Sequence, residues 1–489
     1  MNTSYPLPRC KPEEQGMTSS SINSFLDAIK EQKLELHSFM ILRHGHVVAE
    51  GWWKPYKKDS VHLLNSLSKS FTSTAIGFAV EEGRLTVDDQ VITFFPELSS
   101  ETYLENMAAL KVRHLLSMST GHDMDTIHQM RQSDNWAKVF FEIPLKHEPG
   151  TKFLYNSGAS YILSAIVQKV SGQTLQDYLQ PRLFKPLGIE NYTWESCPKG
   201  ITAGGFGLSI RTEDIAKFGQ LYLQRGKWNG LNILSAEWIE QATQMHIVNG
   251  DDECSDWAQG YGFQFWRCRY GAYRGDGAFG QFCVILPEQD AVIVTTAGEM
   301  DMQAVLDLVW QFLLPGMSTG ASLDLEESCS QYEELEIESF LGKHVSANGE
   351  SISSKLYLVE ENLLGIRAIS FKFTSDECVF TLRDEQRVQT ITSGMGKWCE
   401  GELIISGKLV KISAKGSWMN NSKFIMTLCM VELPFTDTLT CHFVGDSVQV
   451  TISRNVWVTP FSNAALLPTL TGSATDDRDM WLGRSGRGN

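Results

Sequence analysis

The sequence predicts a mixed α/β (α+β) chain: a sheet flanked by helices, followed by a separate all-β domain that closes or curls on itself. Three observations carry this. Up to about residue 315, helical and strand-like hydrophobic periods alternate. A small, polar, acidic stretch, "GMSTGASLDLEESCSQYEELE", then breaks the pattern. From about Ile337 to Pro460 short strand-like runs separated by Gly, Asn and Asp turns take over, as in a barrel. The expected divisions are 1–315, a linker at 316–336, the β domain at 337–460 and a turn-rich, disordered tail at 461–489. At 489 residues the chain exceeds what one hydrophobic core serves.

In chain order, "SINSFLDAIKEQ" has helical spacing, and "SFMILRHGHVVAEGWW" reads as a hairpin turning at Gly45. Leu67, Phe71, Ala75, Phe78 and Ala79 recur on one helical face and place a helix from about Ser66 to Glu82, stopped at Gly83. "GASYILSAIVQKVSG" is a buried helix ending at Gly172, and "TEDIAKFGQLYLQRG" and "SAEWIEQATQ" are two more. The strands "GQFCVILP" and "AVIVTTAG" follow, then a helix near "MQAVLDLVWQFLL". The β domain contains "KLYLVEENLLGIRA", "GELIISGKLVKISAKG", "KFIMTLCMVEL", "TLTCHFVGD" and "SVQVTIS".

Composition narrows the function classes. A net charge of -16 with no Lys/Arg block repels phosphate backbones and anionic lipid, so neither nucleic acid nor a membrane is an expected partner. The N-terminus lacks the basic start and apolar run of a secretory signal, and no 18-residue apolar stretch occurs, so a cytoplasmic protein is expected. The ten cysteines are scattered without a C-x-x-C pair, which favours buried reduced thiols over disulfides or a zinc site.

Two S-x-x-K strings occur, Ser66 to Lys69 and Ser196 to Lys199. The second carries Pro198 and Gly200, so nothing fixes its serine against its lysine. On the helix that starts at Ser66, residues i and i+3 share a face, which brings the amine near the hydroxyl. A lysine turned into that apolar face loses hydration, and its pKa falls toward that of a useful base. On spacing alone the plainer reading, an N-cap serine and a surface lysine, still leads.

Three neighbouring segments change the balance: "VRHLLSMSTGH", "EPGTKFLYNSGASYILSAIVQKVSG" and "AGGFGLSIRTEDIAKFGQLYL". With the S-x-x-K they resemble, in order, the motifs of the serine β-lactamase and penicillin-binding-protein family. The branch is that of class C β-lactamases, family VIII carboxylesterases and D-amino-acid peptidases. The resemblance spans about residues 10–315. It implies an antiparallel sheet flanked by helices, a helical lobe, and a catalytic site between them. It also implies Ser66 as nucleophile, Lys69 as its proton-transfer partner, and Tyr155 as a phenolate or phenol that relays a proton, a pair of bases with lowered pKa replacing histidine. An aromatic packed at a helix start is the plainer account of Tyr155.

Two departures matter. The third position of the Tyr-x-Asn motif is Ser157, with Asn156 one place early, so which side chain meets substrate is open. The third motif, Lys-Thr-Gly or His-x-Gly in the family, falls on Gly275 to Gly277, with no cation at its first position. Strand alternation is expected to turn the adjacent Arg274 to the opposite face. Loss of a carboxylate clamp points to a neutral small carboxylic ester. The backbone N–H groups near Gly277 and Ala278, with that of Ser66, are the expected oxyanion donors. The rivals are a β-lactamase or D-amino-acid peptidase on the same site, and a non-catalytic binding protein on a degenerate scaffold.

Other candidates are weaker. His44 and His46 flank a hairpin glycine, and His122, Asp123, Asp125 and His128 are mixed ligands at irregular spacing, so no metal or other cofactor is expected. Ser318 in "GMSTG" leaves a helix for the linker, where a nucleophile elbow joins a strand to a helix. "GDGAFG" leads into a strand, where a dinucleotide site needs a helix, and no phosphate-binding loop is present. The reading is a metal-independent serine hydrolase acting on a small ester or amide; oligomeric state is not legible.

Overall fold

The computed structural model describes residues 6–98, 107–317, 331–353, 355–457 and 469–475. The chain divides into two compact units, one formed by 1–52, 58–297 and 301–333, the other by 53–57, 298–300 and 334–489.

The first unit opens with helix α1 (Ser19–Glu31), then strands β1 (Leu36–Arg43) and β2 (His46–Trp52). His44 and Gly45 between them both have positive φ, the backbone a tight right-twisted hairpin demands. Helices α2 (Ser68–Glu81), α3 (Ser157–Ser171), α4 (Thr212–Leu223) and α5 (Ala236–Thr243) follow. Strands β3 (Trp266–Arg267), β4 (Tyr273–Gly277), β5 (Gln281–Leu286) and β6 (Ala291–Ala297), helix α6 (Met302–Leu308) and a short strand β7 (Gln331–Tyr332) complete it.

The sheet runs β7-β2-β1-β6-β5-β4-β3, antiparallel except for the β7–β2 pair. β1, β5 and β6 are buried along their whole length, which requires cover on both faces. On one face Phe25 of α1 packs against Phe39 of β1, ring centroids 6.5 Å apart. On the other, α4 presses so close that a Cβ on Gly219 would lie 2.6 Å from Val292 and 2.7 Å from Cys283. Helices α2 and α3 pack on each other in the largest apolar core. The helix expected from Ser66 begins as an α-helix only at Ser68; Asn65–Leu67 form a 3₁₀ turn ahead of it, because Asn65 adopts a left-handed φ of 49°. Gly83, at φ 66°, follows its C-terminal end.

The second unit is built on strands β8 (Leu356–Val359), β9 (Ala368–Phe373), β10 (Glu377–Arg383), β11 (Val388–Met395), β12 (Cys399–Ile405), β13 (Lys408–Trp418), β14 (Lys423–Cys429), β15 (Thr436–Val444), β16 (Ser447–Arg454) and β17 (Leu470–Thr475). Their order is β11-β10-β9-β8-β17-β16-β15-β14-β13-β12. A parallel pairing of Gly394 and Met395 on β11 with Lys415 and Gly416 on β13 closes nine strands into a barrel and leaves β12 outside, paired to β13. Closure removes the edges an open sheet would expose. Phe371, Trp418, Phe424 and Phe443 fill the interior.

Strand β17 lies inside the stretch expected to be a disordered tail. It inserts between β8 and β16, with Leu470 and Gly472 buried, but a single large apolar residue in six positions gives no readable alternation. Ser318 and most of the acidic linker lie outside the described residues. Among those described, no helix is long and apolar enough to cross a membrane, and no cysteine is paired.

Candidate active site

The site is assembled from the turn before α2, the start of α3, the Gly204–Gly205 loop and strand β4. Asn65 can take its left-handed backbone because its short amide side chain is anchored: Nδ2 donates to the Ala278 carbonyl at 2.9 Å. Ser68 Oγ donates to the Asn65 carbonyl at 2.7 Å and accepts from the Leu208 N–H at 3.1 Å, locking the turn from below. Ser66 is thereby held half-buried at the head of α2.

One turn on, Lys69 is 1% exposed. Its Nζ donates to Ser66 Oγ at 3.0 Å, Ser157 Oγ at 3.2 Å and the Gly205 carbonyl at 2.7 Å, using all three of its donors. Burial lowers the amine to about 8, against the opposing fields of Asp125 and Asp276. The surface-lysine reading fails here.

The Tyr155 phenol lies near enough to the Ser66 side chain to be influenced by it, and its ring lies 4.7 Å from Lys69 Nζ. Trp266 stacks on it at 5.4 Å and Tyr261 meets it edge-on at 6.3 Å. Desolvation pushes its phenol well above the ordinary value, and the nearby Asp276 and Asp125 add to that. The expectation of two bases with lowered pKa is therefore corrected: Lys69 alone is lowered, and Tyr155 is a phenol at neutral pH.

The shifted Tyr-x-Asn motif resolves cleanly. Asn156 is buried and caps α3: its Oδ1 accepts from the Gly158 N–H at 3.0 Å and from the N–H and hydroxyl of Thr126 at 3.1 and 2.8 Å. Ser157 is the residue that faces Lys69, and its own N–H is held by Asp125 Oδ1 at 2.9 Å. Of the two alternatives left open by the shifted motif, Asn156 is committed to capping, and Ser157 is the one that faces Lys69. Asn156→Ala is expected to lower stability by about 2 kcal/mol, since it removes a helix cap and strands a buried N–H. Thermal unfolding of the variant beside Ser157→Ala, which should stay near wild type, checks this.

Strand β4 comes very close to the nucleophile turn. A Cβ on Gly275 would sit 2.2 Å from Leu67 and 2.9 Å from Ser70 Oγ, and one on Gly277 would sit 2.0 Å from the Leu64 carbonyl. At Gly277 the obstacle is backbone and no side chain fits; at Gly275 a side chain would have to displace those of Leu67 and Ser70. Arg274 and Asp276 share the opposite face, as alternation requires, and that face packs against the rings around Tyr155. Arg274 lies 5.7 Å from the Trp266 ring that stacks on Tyr155, and Asp276 acts electrostatically on both Lys69 and Tyr155. Sequence reading passed over Asp276, the Gly205 carbonyl and the positioning contact of Asp125.

The remaining candidates do not assemble into a second site. Ser196 and Lys199 are both exposed. His44 pairs with Asp290 at 2.9 Å, and His46 Nδ1 bonds the His44 carbonyl at 3.0 Å. His122 is buried against Thr120 and Asn156. Among the described residues no three His, Cys, Asp or Glu side chains are gathered as metal ligands.

The model of the Beta-lactamase family matches residues 23–307, the segment that supplies Ser66, Lys69, Tyr155 and β4. The chain is 27% identical over 291 residues to a 6-aminohexanoate-dimer hydrolase of Paenarthrobacter ureafaciens, covering 54% of this chain and 74% of that one. It is 29% identical over 160 residues to a lovastatin esterase of Penicillium rubens, covering 28% of this chain and 40% of that one. A Beta-lactamase of Escherichia coli is 22% identical over 224 residues, covering 40% and 58%. In structure, EstCE1, a hydrolase with promiscuous acyltransferase activity, superposes with a TM-score of 0.50 at 18% identity over 59% of this chain and 97% of its own. Because the family match takes in more than half of the chain and the elements that converge on Ser66, the chain belongs to the β-lactamase family of serine hydrolases.

Proposed function

We propose that the protein is a serine carboxylesterase for small uncharged esters, working through an acyl-enzyme. One observation carries the reading: Ser66 Oγ lies 3.0 Å from a buried amine whose pKa is lowered to about 8. Near neutral pH a useful fraction of Lys69 is unprotonated and accepts the Ser66 proton as Oγ attacks the carbonyl carbon. The developing oxyanion takes hydrogen bonds from the backbone N–H groups of Ser66 and Ala278. As the tetrahedral species collapses, the Tyr155 phenol passes a proton from the Lys69 ammonium to the departing alkoxide. Water, deprotonated by Lys69, then releases the acid and restores Ser66.

The choice of a neutral ester follows from β4. Gly275 and Gly277 supply no side chain, and the Arg274 guanidinium is committed to Asp276 and the Asp256 carbonyl. A substrate carboxylate thus finds no available cation on this strand. Similarity to an esterase supports the same choice. Amide hydrolysis is the second reading, favoured by likeness to a 6-aminohexanoate-dimer hydrolase over a longer segment. A p-nitrophenyl ester series run beside nitrocefin is the test. Turnover of the short esters with a nitrocefin rate lower by about two powers of ten is expected; comparable rates would move the reading to a β-lactamase.

A further inference from the structure

Beyond the reacting groups, a buried ion pair lies behind the rings that surround Tyr155. Arg274 is fully buried, and its Nε donates to Asp276 Oδ2 at 2.8 Å. Nη1 donates to the Asp256 carbonyl at 2.8 Å and contacts Cys268 Sγ at 3.1 Å. Nη2 lies 2.8 Å from the same Asp276 oxygen but makes no well-aligned hydrogen bond, so a donor is left over. The guanidinium is sandwiched by aromatic rings, 4.4 Å from Trp257 and 5.7 Å from Trp266 and Phe282.

The same rings lead to the nucleophile. Met118, Tyr261 and Trp266 form a satellite cluster packed against partly exposed Phe153, Tyr155, Ile247 and Trp257. The side of the site lined by these rings is therefore apolar and aromatic, and the charged Arg274–Asp276 pair set among them is neutral as a whole. In such a wall an unbalanced charge is felt strongly, because little water screens it.

We propose that Asp276 is a specificity-determining residue: by cancelling Arg274 it keeps the aromatic wall uncharged, so that the site takes acyl groups with neutral chains and refuses those ending in a carboxylate. This rests on Ser66 being the nucleophile and adds the substrate class of the same site. Without the Asp276 charge, Arg274 becomes a buried cation with a spare donor, the type of group that binds a carboxylate.

The test compares mono-p-nitrophenyl glutarate and adipate with the p-nitrophenyl esters of their monomethyl esters, which match them in length and differ in charge. Wild type should prefer the neutral member of each pair. Asp276→Asn, close to the same shape, should raise the ratio of kcat/KM for the anionic over the neutral substrate by about tenfold or more, mainly through KM. The double variant Arg274→Gln with Asp276→Asn should return the ratio to near the wild-type value. A ratio unmoved in Asp276→Asn at both chain lengths, or one that stays raised in the double variant, overturns the proposal. Should Asp276→Asn fail to fold, Arg274→Gln alone supplies the opposite sign: the wall becomes anionic and the ratio must fall. Failure of the nucleophile reading looks different, since Ser66→Ala would then keep its activity on all four esters.

Discussion

Ser66→Ala is expected to reduce hydrolysis of p-nitrophenyl butyrate by about three powers of ten or more, with the fold intact. The loss is large because the hydroxyl is the atom that forms the bond; oxyanion donors and binding contacts cannot replace it. The fold should survive because Lys69 keeps two of its three acceptors, Ser157 Oγ and the Gly205 carbonyl. The melting temperature should therefore move by only a few degrees. A phosphonate ester gives an independent reading: wild type should gain one covalent adduct on Ser66, and the alanine variant none. If the variant hydrolyses esters as fast as its parent, catalysis lies elsewhere. If neither protein turns over and wild type resists labelling, the scaffold serves binding.

The parts of this site that were legible in the sequence are those whose geometry is local. Ser66 and Lys69 meet because residues three apart on a helix share a face, and that held although the regular helix starts two residues later than its apolar period suggested. The closing barrel and the hairpin at Gly45 were readable for the same reason: alternation and turn chemistry act over a few residues. What escaped depends on register between distant segments. That β1 also pairs with β6, about 250 residues on, is fixed by packing of the two sheet faces, which no local period encodes. The face of β4 that meets the site follows from how closely Gly275 and Gly277 lie against Leu64 and Leu67, more than 200 residues earlier. Likewise the Tyr155 phenol could not be placed as acid or base from its motif, because its pKa is set by the Trp266, Tyr261 and Asp276 environment that the fold brings around it.

Lys69 joins function to stability, and the second large effect is expected there. Its folded pKa, about 8, lies below its ordinary value of 10.5 because burial penalises the ammonium. Between those values the unfolded chain holds a proton that the folded chain has released, so the free energy of unfolding must rise with pH across that window. The penalty is fully present below pH of about 8 and is relieved as pH climbs toward about 10.5. Measured as the difference between wild type and Lys69→Met, which cancels the other titrating groups, stability should rise by about 2 to 3 kcal/mol from pH 7 to pH 10. At neutral pH the methionine variant should lose about three powers of ten in ester turnover, since no base remains beside Ser66. The activity of wild type should follow the same proton: kcat/KM should climb with pH on a limb with its midpoint near 8 and level off above it. A flat stability difference, or an activity limb near the imidazole range, would remove Lys69 as the titrating base. Agreement of the two midpoints would place one proton, on one amine, behind both the cost of burying Lys69 and the reactivity of Ser66.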